Sequence, residues 1–151
     1  MSRIIVLDSG PLGMVTNPQA KPPYLECQLW LASLLDNGAM VILSEIADYE
    51  VRRELIRAGK ENGLKKLDKF KNVLLYRPLT TEVMLLAAQL WADARKRGRP
   101  TAEPNALDGD AILAAQAILE ANPGNEVVIA TTNVGHLSQF VDARDWRSIQ
   151  Q

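Results

Sequence analysis

Short apolar runs alternate along the chain with longer segments of helical periodicity. Four runs have the length and composition of strands that are buried on both faces: residues 4–7, 40–43, 73–76 and 127–130. The tail from Phe140 is expected to add a last short strand at the sheet edge. Because strands alternate with helices, the pattern predicts an α/β fold, with a central, mostly parallel sheet of four to five strands flanked by helices on both faces.

Capping residues mark the ends of two predicted helices. The first begins near Tyr24 and ends before Gly38, with four apolar residues on one stripe, namely Leu25, Leu29, Ala32 and Leu35. Ser44 is a natural N-cap for the second helix, which runs to about Gly59.

Glycines, prolines and threonines set the boundaries further along the chain. Gly63 is expected to break it before a short basic helix over residues 64–70. Thr80 or Thr81 then caps a long helix that ends in the basic cluster 95–97. The two prolines within residues 98–107 predict a loop of about ten residues, long enough to border a site.

The helix after Ser44 carries two acids of interest. Its core stripe is expected to contain Ala47, Val51, Leu55 and Ala58. Glu50 lies at the margin of this stripe, where a carboxylate can face a cleft, whereas Asp48 falls well away from it. The alternative for Glu50 is a surface ion pair with Arg53, which would contribute only a few tenths of a kcal/mol.

The segment that starts at Asp108 is apolar at nearly every helical angle, so we expect a central and largely buried helix. Two acids lie at its start. Asp108 is the better candidate for an N-cap. Asp110 is followed along its own face by alanines 114, 117 and 121, which leave its carboxylate uncovered. We therefore favour Asp110 for a functional role.

Polar side chains follow the first and fourth predicted strands. Asp8 ends the first, and Thr131 and Asn133 end the fourth. Ligands bind at the carboxyl ends of strands in open α/β sheets, although Asp8 alone could equally be a helix cap. If Glu50 and Asp110 converge there, the like charges need protons or cations to neutralise them. Oxygen ligands suit Mg²⁺ or Mn²⁺.

Composition limits the other possibilities. A single cysteine, Cys27, excludes an internal disulfide and favours a reducing compartment, so we expect a cytoplasmic protein. The apolar runs are too short to suggest a membrane segment. His136 is the only histidine and is expected in a loop; no zinc-ligand spacing and no Gly-x-Ser-x-Gly motif occurs. The length suits one domain over residues 1–151.

The net charge of −1 conceals an uneven distribution. Residues 52–99 carry thirteen basic and five acidic side chains, whereas acids outnumber bases on both sides of this block. Arg53 and its neighbours could contact phosphates; the alternative is an ordinary solvated face of amphipathic helices.

Four segments together resemble the PIN-domain ribonucleases, most closely the VapC-like toxins. Val6–Gly10 is similar to the first acidic motif of that family, and Ser44–Val51, which contains Glu50, is similar to the second. The third and fourth resemblances are Asp110–Ala115 and Thr131–Leu137. The motifs occur in the family's order over nearly the whole chain. Two positions depart from it: Asn133 replaces a frequent aspartate, and Leu137 replaces a frequent aromatic residue.

The resemblance implies a PIN-like nuclease domain in which Asp8, Glu50 and Asp110 ligate one or two Mg²⁺ or Mn²⁺ ions. Asn133 would complete the catalytic set by orienting water or binding metal through its carbonyl. Substrate contacts are expected from three further residues, namely Ser9, Thr131 and Arg53. The partners implied are RNA, a small antitoxin protein and a second copy of the chain.

Three functional hypotheses follow. The first is a metal-dependent endoribonuclease, acting as the toxin of a toxin–antitoxin pair. The second is a non-catalytic module that binds RNA or protein and keeps only part of the site. The third, a phosphotransferase of the haloacid-dehalogenase kind, also opens with a buried strand and an aspartate. It needs a second acid two residues later, where this chain has Gly10.

Overall fold

A computed structural model describes residues 2–98, 104–121 and 123–150. Five strands form one parallel sheet in the order β3-β2-β1-β4-β5. The strands are β1 (Ser2–Leu7), β2 (Met40–Ser44), β3 (Leu75–Arg77), β4 (Asn125–Thr131) and β5 (Ala143–Asp145). The first strand is central: its Leu7 pairs with Leu43 on one side and with Ala130 on the other. The predicted parallel sheet and its short last edge strand are confirmed.

Seven α-helices and one short 3-10 helix surround this sheet within the described residues. They are α1 (Ser9–Thr16), α2 (Tyr24–Asp36), α3 (Glu45–Arg57), α4 (Glu61–Val73), α5 (Thr81–Lys96), α6 (Pro104–Glu120), α7 (Val134–Leu137) and the 3-10 helix Trp146–Ser148. None of them is both long enough and apolar enough to cross a bilayer.

The alternation of side chains along the strands places one core on each face of the sheet. On one face Ile5, Leu7 and their neighbours pack against α1 to α4. On the other face Ile4 and Val6 pack against α6 and α7. The helix α5 lies outside α6, against its alanines. Helices therefore cover both faces, as the apolar runs predicted.

Three of the predicted helix-end residues, Ser44, Thr80 and Gly38, act as expected. The Ser44 hydroxyl accepts a hydrogen bond from the Ala47 amide at 3.4 Å, which starts α3 directly at the carboxyl end of β2. Thr80, rather than Thr81, caps α5 by accepting from the Val83 amide at 3.1 Å. Gly38 ends the α2 region with a φ of 80°, a conformation that glycine adopts without a Cβ penalty.

Three element boundaries differ from the prediction. Gly63 lies inside α4 and does not break the chain. A Cβ on this residue would come within 2.8 Å of a Leu55 methyl carbon, so the glycine lets α3 and α4 pack closely. The helix then continues to Val73, which shifts the third strand to residues 75–77. The helix α6 begins at Pro104, so residues 104–107 are not a loop. Residues 99–103 of the predicted loop lie outside the described residues.

The apolar stripe predicted on α2 is not its buried face. Cys27, Leu31 and Leu34 are buried against the sheet, whereas Leu29 is 61% exposed and Leu25 is also exposed. The helix carries apolar residues on more than one side, and periodicity alone does not say which side meets the sheet. Of the predicted stripe, Leu25, Leu29 and Ala32 are exposed, and only Leu35 packs against the core.

Asp48 is buried, contrary to the expectation that it lies far from the core. It is 6% exposed and accepts two hydrogen bonds from Arg52, at 2.9 and 3.1 Å. Arg52 also donates to Asp68 of α4 at 2.8 Å. The packing of α4 against this side of α3 explains the burial, and the shared guanidinium joins the two helices.

Replacing Asp48 with alanine is expected to destabilise the fold by about 1–3 kcal/mol, because the half-buried Arg52 loses its best partner. Urea unfolding measures the change. The matched control is Glu54→Ala on the same helix, whose pair with Arg57 is exposed on both sides. We expect the control to cost less than about 0.5 kcal/mol. Equal losses for the two variants would contradict the assignment.

Candidate active site

Asp8 lies at the carboxyl end of the central strand and is held by two hydrogen bonds. One carboxylate oxygen accepts from the Ser9 amide at 2.7 Å, which makes Asp8 the N-cap of α1. The other oxygen accepts from the Thr131 hydroxyl at 2.7 Å. Each oxygen can still accept a further bond. The capping role and a role in a site are therefore compatible for this residue.

The end of β4 is fixed to Asp8 through Thr131. The Thr131 side chain is fully buried, and its hydroxyl also accepts from the Asn133 amide at 2.9 Å. Thr131 thus contacts Asp8 and the backbone rather than the open side of the site. Gly10 adds to this close packing, because a Cβ there would lie 2.5 Å from the Thr132 hydroxyl. The turn after β1 packs directly against the turn after β4.

His136 lies beside Asn133 and Asp110, although the sequence favoured a loop residue over one that contacts substrate. It lies on α7, and its Nδ1 atom is 2.8 Å from the side-chain amide of Asn133 and 4.0 Å from the Asp110 carboxylate. With the amide nitrogen as donor, His136 accepts at Nδ1 and carries its proton on Nε2. The i, i+3 spacing from Asn133 at a strand end is the only signal in the sequence for this contact.

Glu50 reaches from α3 to α6 and ends beside Gly109. A Cβ on residue 109 would lie 2.7 Å from the Glu50 Oε2 atom. The ion pair with Arg53, which was the alternative for Glu50, is not formed; Arg53 instead lies over the Tyr49 ring at 5.1 Å. No functional role was predicted for Gly109 from the sequence. A glycine inside an otherwise apolar helix is the signal that could have found it.

Asp110 lies well inside α6, because the helix begins six residues earlier at Pro104. For the same reason Asp108 is an interior helical residue and not the N-cap. Asp110 projects toward the carboxyl end of the sheet, and its Oδ2 atom is buried without a hydrogen-bond partner among the described residues. Its neighbours Ala111, Ala114 and Ala117 are buried, as expected for a central helix.

Burial and neighbouring carboxylates raise the pKa values of Asp110 and Glu50. The pKa of Asp110 is raised to about 6, mainly by burial and then by the charge of Asp8. Burial also raises the pKa of Glu50, followed by the charge of Asp8; Arg53 lowers that pKa and Asp110 raises it. Two partly buried carboxyl groups with raised pKa values mark a place where a cation would be favourable.

The donor set fits a hard divalent cation in part. Its oxygen ligands, the unpartnered Asp110 oxygen and the raised pKa values all favour Mg²⁺ or Mn²⁺. However, no three acidic, histidine or cysteine side chains within the described residues converge closely enough to enclose an ion. Mg²⁺ commonly binds through one or two carboxylates and keeps several waters. A largely hydrated ion would therefore suit this arrangement.

Ser9 and Arg53 lie beside the carboxylates rather than between them. Together with Glu50 they line a groove of about 570 Å³ that runs along α3. The structure thus gathers Asp8, Glu50, Asp110 and Asn133 around the carboxyl end of the sheet, with Thr131 buried beneath them. Ser9 and Arg53 lie on the side that opens into the groove.

Comparisons with known proteins identify the fold. No protein-family model and no curated protein sequence matches the chain. A solved structure of FitAcB from Neisseria gonorrhoeae is 21% identical with a TM-score of 0.67, over 96% of this chain and 99% of that one. VapBC2 from Rickettsia felis, bound to a promoter DNA fragment, gives 16% identity and a TM-score of 0.68, over 95% and 98%. The chain has a VapC-like PIN-domain fold.

A third structure supports the same conclusion. VapBC-1 from nontypeable Haemophilus influenzae is 15% identical, with a TM-score of 0.67 over 96% of this chain and 99% of that one. The similarity spans nearly the whole of each chain, so the PIN-domain fold accounts for the full set of elements. The fold predicted from the order of the four motifs is confirmed.

Proposed function

We propose that this PIN-domain protein is a metal-dependent endoribonuclease that hydrolyses RNA phosphodiester bonds. One observation carries the proposal: one oxygen of the Asp110 carboxylate, Oδ2, is buried without a hydrogen-bond partner among the described residues, near two further acids, Asp8 and Glu50. Burying an unpaired charge beside like charges is costly unless a cation compensates it. In a site with only a structural role, this arrangement would destabilise the fold without any compensating gain.

Asp8, Glu50 and Asp110 are the residues that would hold Mg²⁺ or Mn²⁺. When bound, such an ion acidifies water near neutral pH and stabilises charge on phosphoryl oxygens. The Ser9 amide and the Thr131 hydroxyl hold the Asp8 carboxylate in one orientation. This preorganisation lowers the cost of arranging the site during the reaction.

Three further side chains would act on the substrate or on water. Asn133 directs its amide nitrogen to His136, and its carbonyl oxygen, which has no hydrogen-bond donor among the described residues, would orient a water molecule or bind metal. Ser9 and Arg53, at the groove side of the acids, are suited to contact phosphate oxygens.

We further propose that the protein is the toxin of a toxin–antitoxin pair in the cytoplasm. The support is the similarity in fold to the FitAcB and VapBC structures, one of which is described as bound to a promoter DNA fragment. The exposed Leu25 and Leu29 on α2 give a small partner protein an apolar surface to cover. A homodimer stays a prediction.

A non-catalytic RNA- or protein-binding module is the second candidate. It is favoured by the lack of three converging metal ligands within the described part of the chain. Asn133, in place of an acid, also weakens any second metal position. Calorimetric titration with Mn²⁺ separates the two candidates, because a module without a working site would bind no Mn²⁺.

The decisive experiment is an RNA cleavage assay on the purified protein with Mn²⁺, with Mg²⁺ and with EDTA. We expect cleavage with either ion and none with EDTA. Asp8→Ala and Asp110→Ala, purified in the same way, control for contaminating nucleases and should be inactive. Undiminished cleavage by both variants would rule out this site as the source of activity.

A further inference from the structure

A groove leads away from the acidic site along α3. It begins at Ser9 and Glu50 and runs between this helix and the loop that follows α1, where Pro18 and Gln19 form the opposite wall. Its volume of about 570 Å³ is within the range of about 300–1,000 Å³ that is usual for sites binding small organic groups. It is therefore large enough for one nucleotide next to the acids.

A second cavity continues this groove. It has a volume of about 360 Å³, shares Pro18 and Lys60 with the first, and extends along residues 61–63 at the start of α4. Because the two cavities share lining residues, they form one track that leaves the acids in a single direction. Lys60 lies where they meet.

The lining combines an apolar floor with a cationic rim. Leu55 and Ala58 contribute apolar surface, and Arg53, Arg57 and Lys60 follow one another along the α3 side. Glu54 on the same rim is already paired with Arg57 at 2.9 Å. Lys60 has no acidic partner among the described residues and is exposed. A free cation above apolar surface suits a ligand that carries both a phosphate and a flat base.

We propose that this groove binds the single-stranded RNA segment on one side of the scissile phosphate, with Lys60 on a backbone phosphate and a base against Leu55 and Ala58. The inference rests on the proposed function, because the groove begins at the acids that are proposed to cleave the RNA. A base must be unpaired and unstacked to enter a recess between a helix and a loop. The groove therefore selects single-stranded RNA over a duplex.

The charge of Lys60 is tested by RNA binding without catalysis. The full-length Asp110→Asn protein is titrated with a labelled single-stranded oligouridine in EDTA, and anisotropy is measured over a range of salt concentrations. Lys60→Gln in this background should weaken binding and reduce the slope of log K against log salt by about 0.7, the value for one lost phosphate contact. Lys69→Gln is the matched control, since Lys69 is exposed on α4 outside the groove lining.

The apolar floor is tested by a change in volume without a change in charge. Ala58→Phe fills the floor and should lower oligouridine affinity several-fold at every salt concentration, with an unchanged slope. A preformed oligoadenine–oligouridine duplex should bind more weakly than the single strand to the parent protein, and Ala58→Phe should not affect its binding. Melting temperatures verify that both groove variants fold.

The outcomes distinguish a failure of the groove proposal from a failure of the proposed function. The groove proposal is overturned if Lys60→Gln and Lys69→Gln have the same effect on RNA binding, or if Ala58→Phe leaves binding unchanged. Either result counts against the groove even if the wild type cleaves RNA. Groove variants that keep oligouridine affinity but lose affinity for an antitoxin encoded beside the gene would assign the groove to a protein partner instead. Impaired RNA binding by both variants supports the groove even if no cleavage is found.

Discussion

Replacing Asp110 with asparagine is expected to lower RNA cleavage by about 10²–10³-fold, the usual cost of losing one preorganised polar group in a site. The same change should stabilise the metal-free protein at neutral pH. The two effects have opposite signs because the carboxylate is needed for the cation but is unfavourable without it. If Asp110 served the fold alone, its replacement would lower both the activity and the stability of the protein.

The pH dependence follows from the raised pKa of Asp110. Its value of about 6 in the folded protein exceeds its usual 3.8, so the folded state disfavours the ionised form. As the pH rises from 3.8 to about 6, Asp110 ionises in the unfolded chain before it ionises in the folded protein. The free energy of unfolding therefore decreases until about pH 6. The full difference corresponds to at most about 3 kcal/mol. Because the side chain is 20% exposed, we expect about 1–2 kcal/mol.

Urea unfolding in EDTA tests this expectation. Asp110→Asn should exceed the wild type in unfolding free energy above pH 6, and the difference should disappear below about pH 4, where both states are protonated. Asp36→Asn, an exposed aspartate at the end of α2, is the control. Mn²⁺ should stabilise the wild type more than Asp110→Asn. A variant less stable than the wild type at neutral pH would contradict the interpretation of this site.

Gly109→Ala is expected to impair the site while leaving the fold intact. The new Cβ would lie 2.7 Å from Glu50 Oε2 and 3.4 Å from its Cδ, both near the end of a flexible side chain. The clash is therefore relieved by moving the Glu50 carboxylate. Alanine in a helix is favoured over glycine by about 1 kcal/mol, so stability should hold or rise. A displacement of this kind should lower cleavage by about 10–100-fold and weaken Mn²⁺ binding.

A double substitution tests whether Glu50 carries the effect. Glu50→Asp is shorter by one methylene and withdraws the carboxylate from residue 109. It should impair activity alone, and adding Gly109→Ala should then cost little more. Gly13→Ala is the control for helical propensity, because a Cβ there meets nothing within 4 Å, and it should leave Mn²⁺ affinity unchanged. Additive losses in the double variant would show that Gly109 acts independently of Glu50.

Local signals predicted most of the secondary structure. The runs that form β1, β2 and β4 contain enough adjacent apolar residues to be recognised as buried strands, and Ser44 and Thr80 cap their helices as expected. The start of α6 was missed because Pro104 suggests a loop. Proline is nevertheless well tolerated in the first turn of a helix, where its missing amide hydrogen has no partner to lose.

Burial that depends on a neighbouring element could not be predicted in the same way. Asp48 lies away from the apolar stripe of α3 and is buried only because α4 packs there and Arg52 satisfies its charge. Gly63 was interpreted as a break, although its function is to let α4 approach Leu55. In both cases the deciding contact is made by a residue on another element, which no property of the helix itself specifies.

The sequence by itself determined which elements form and that acids stand at strand ends and helix margins, because these depend on neighbouring residues and on their periodicity. Only the tertiary structure decided how the acids meet. The contact of Glu50 with Gly109, the hydrogen bond from Thr131 to Asp8 and the place of His136 beside Asp110 each join residues far apart in the chain. Their positions follow from the packing of helices on the sheet, which local patterns do not encode.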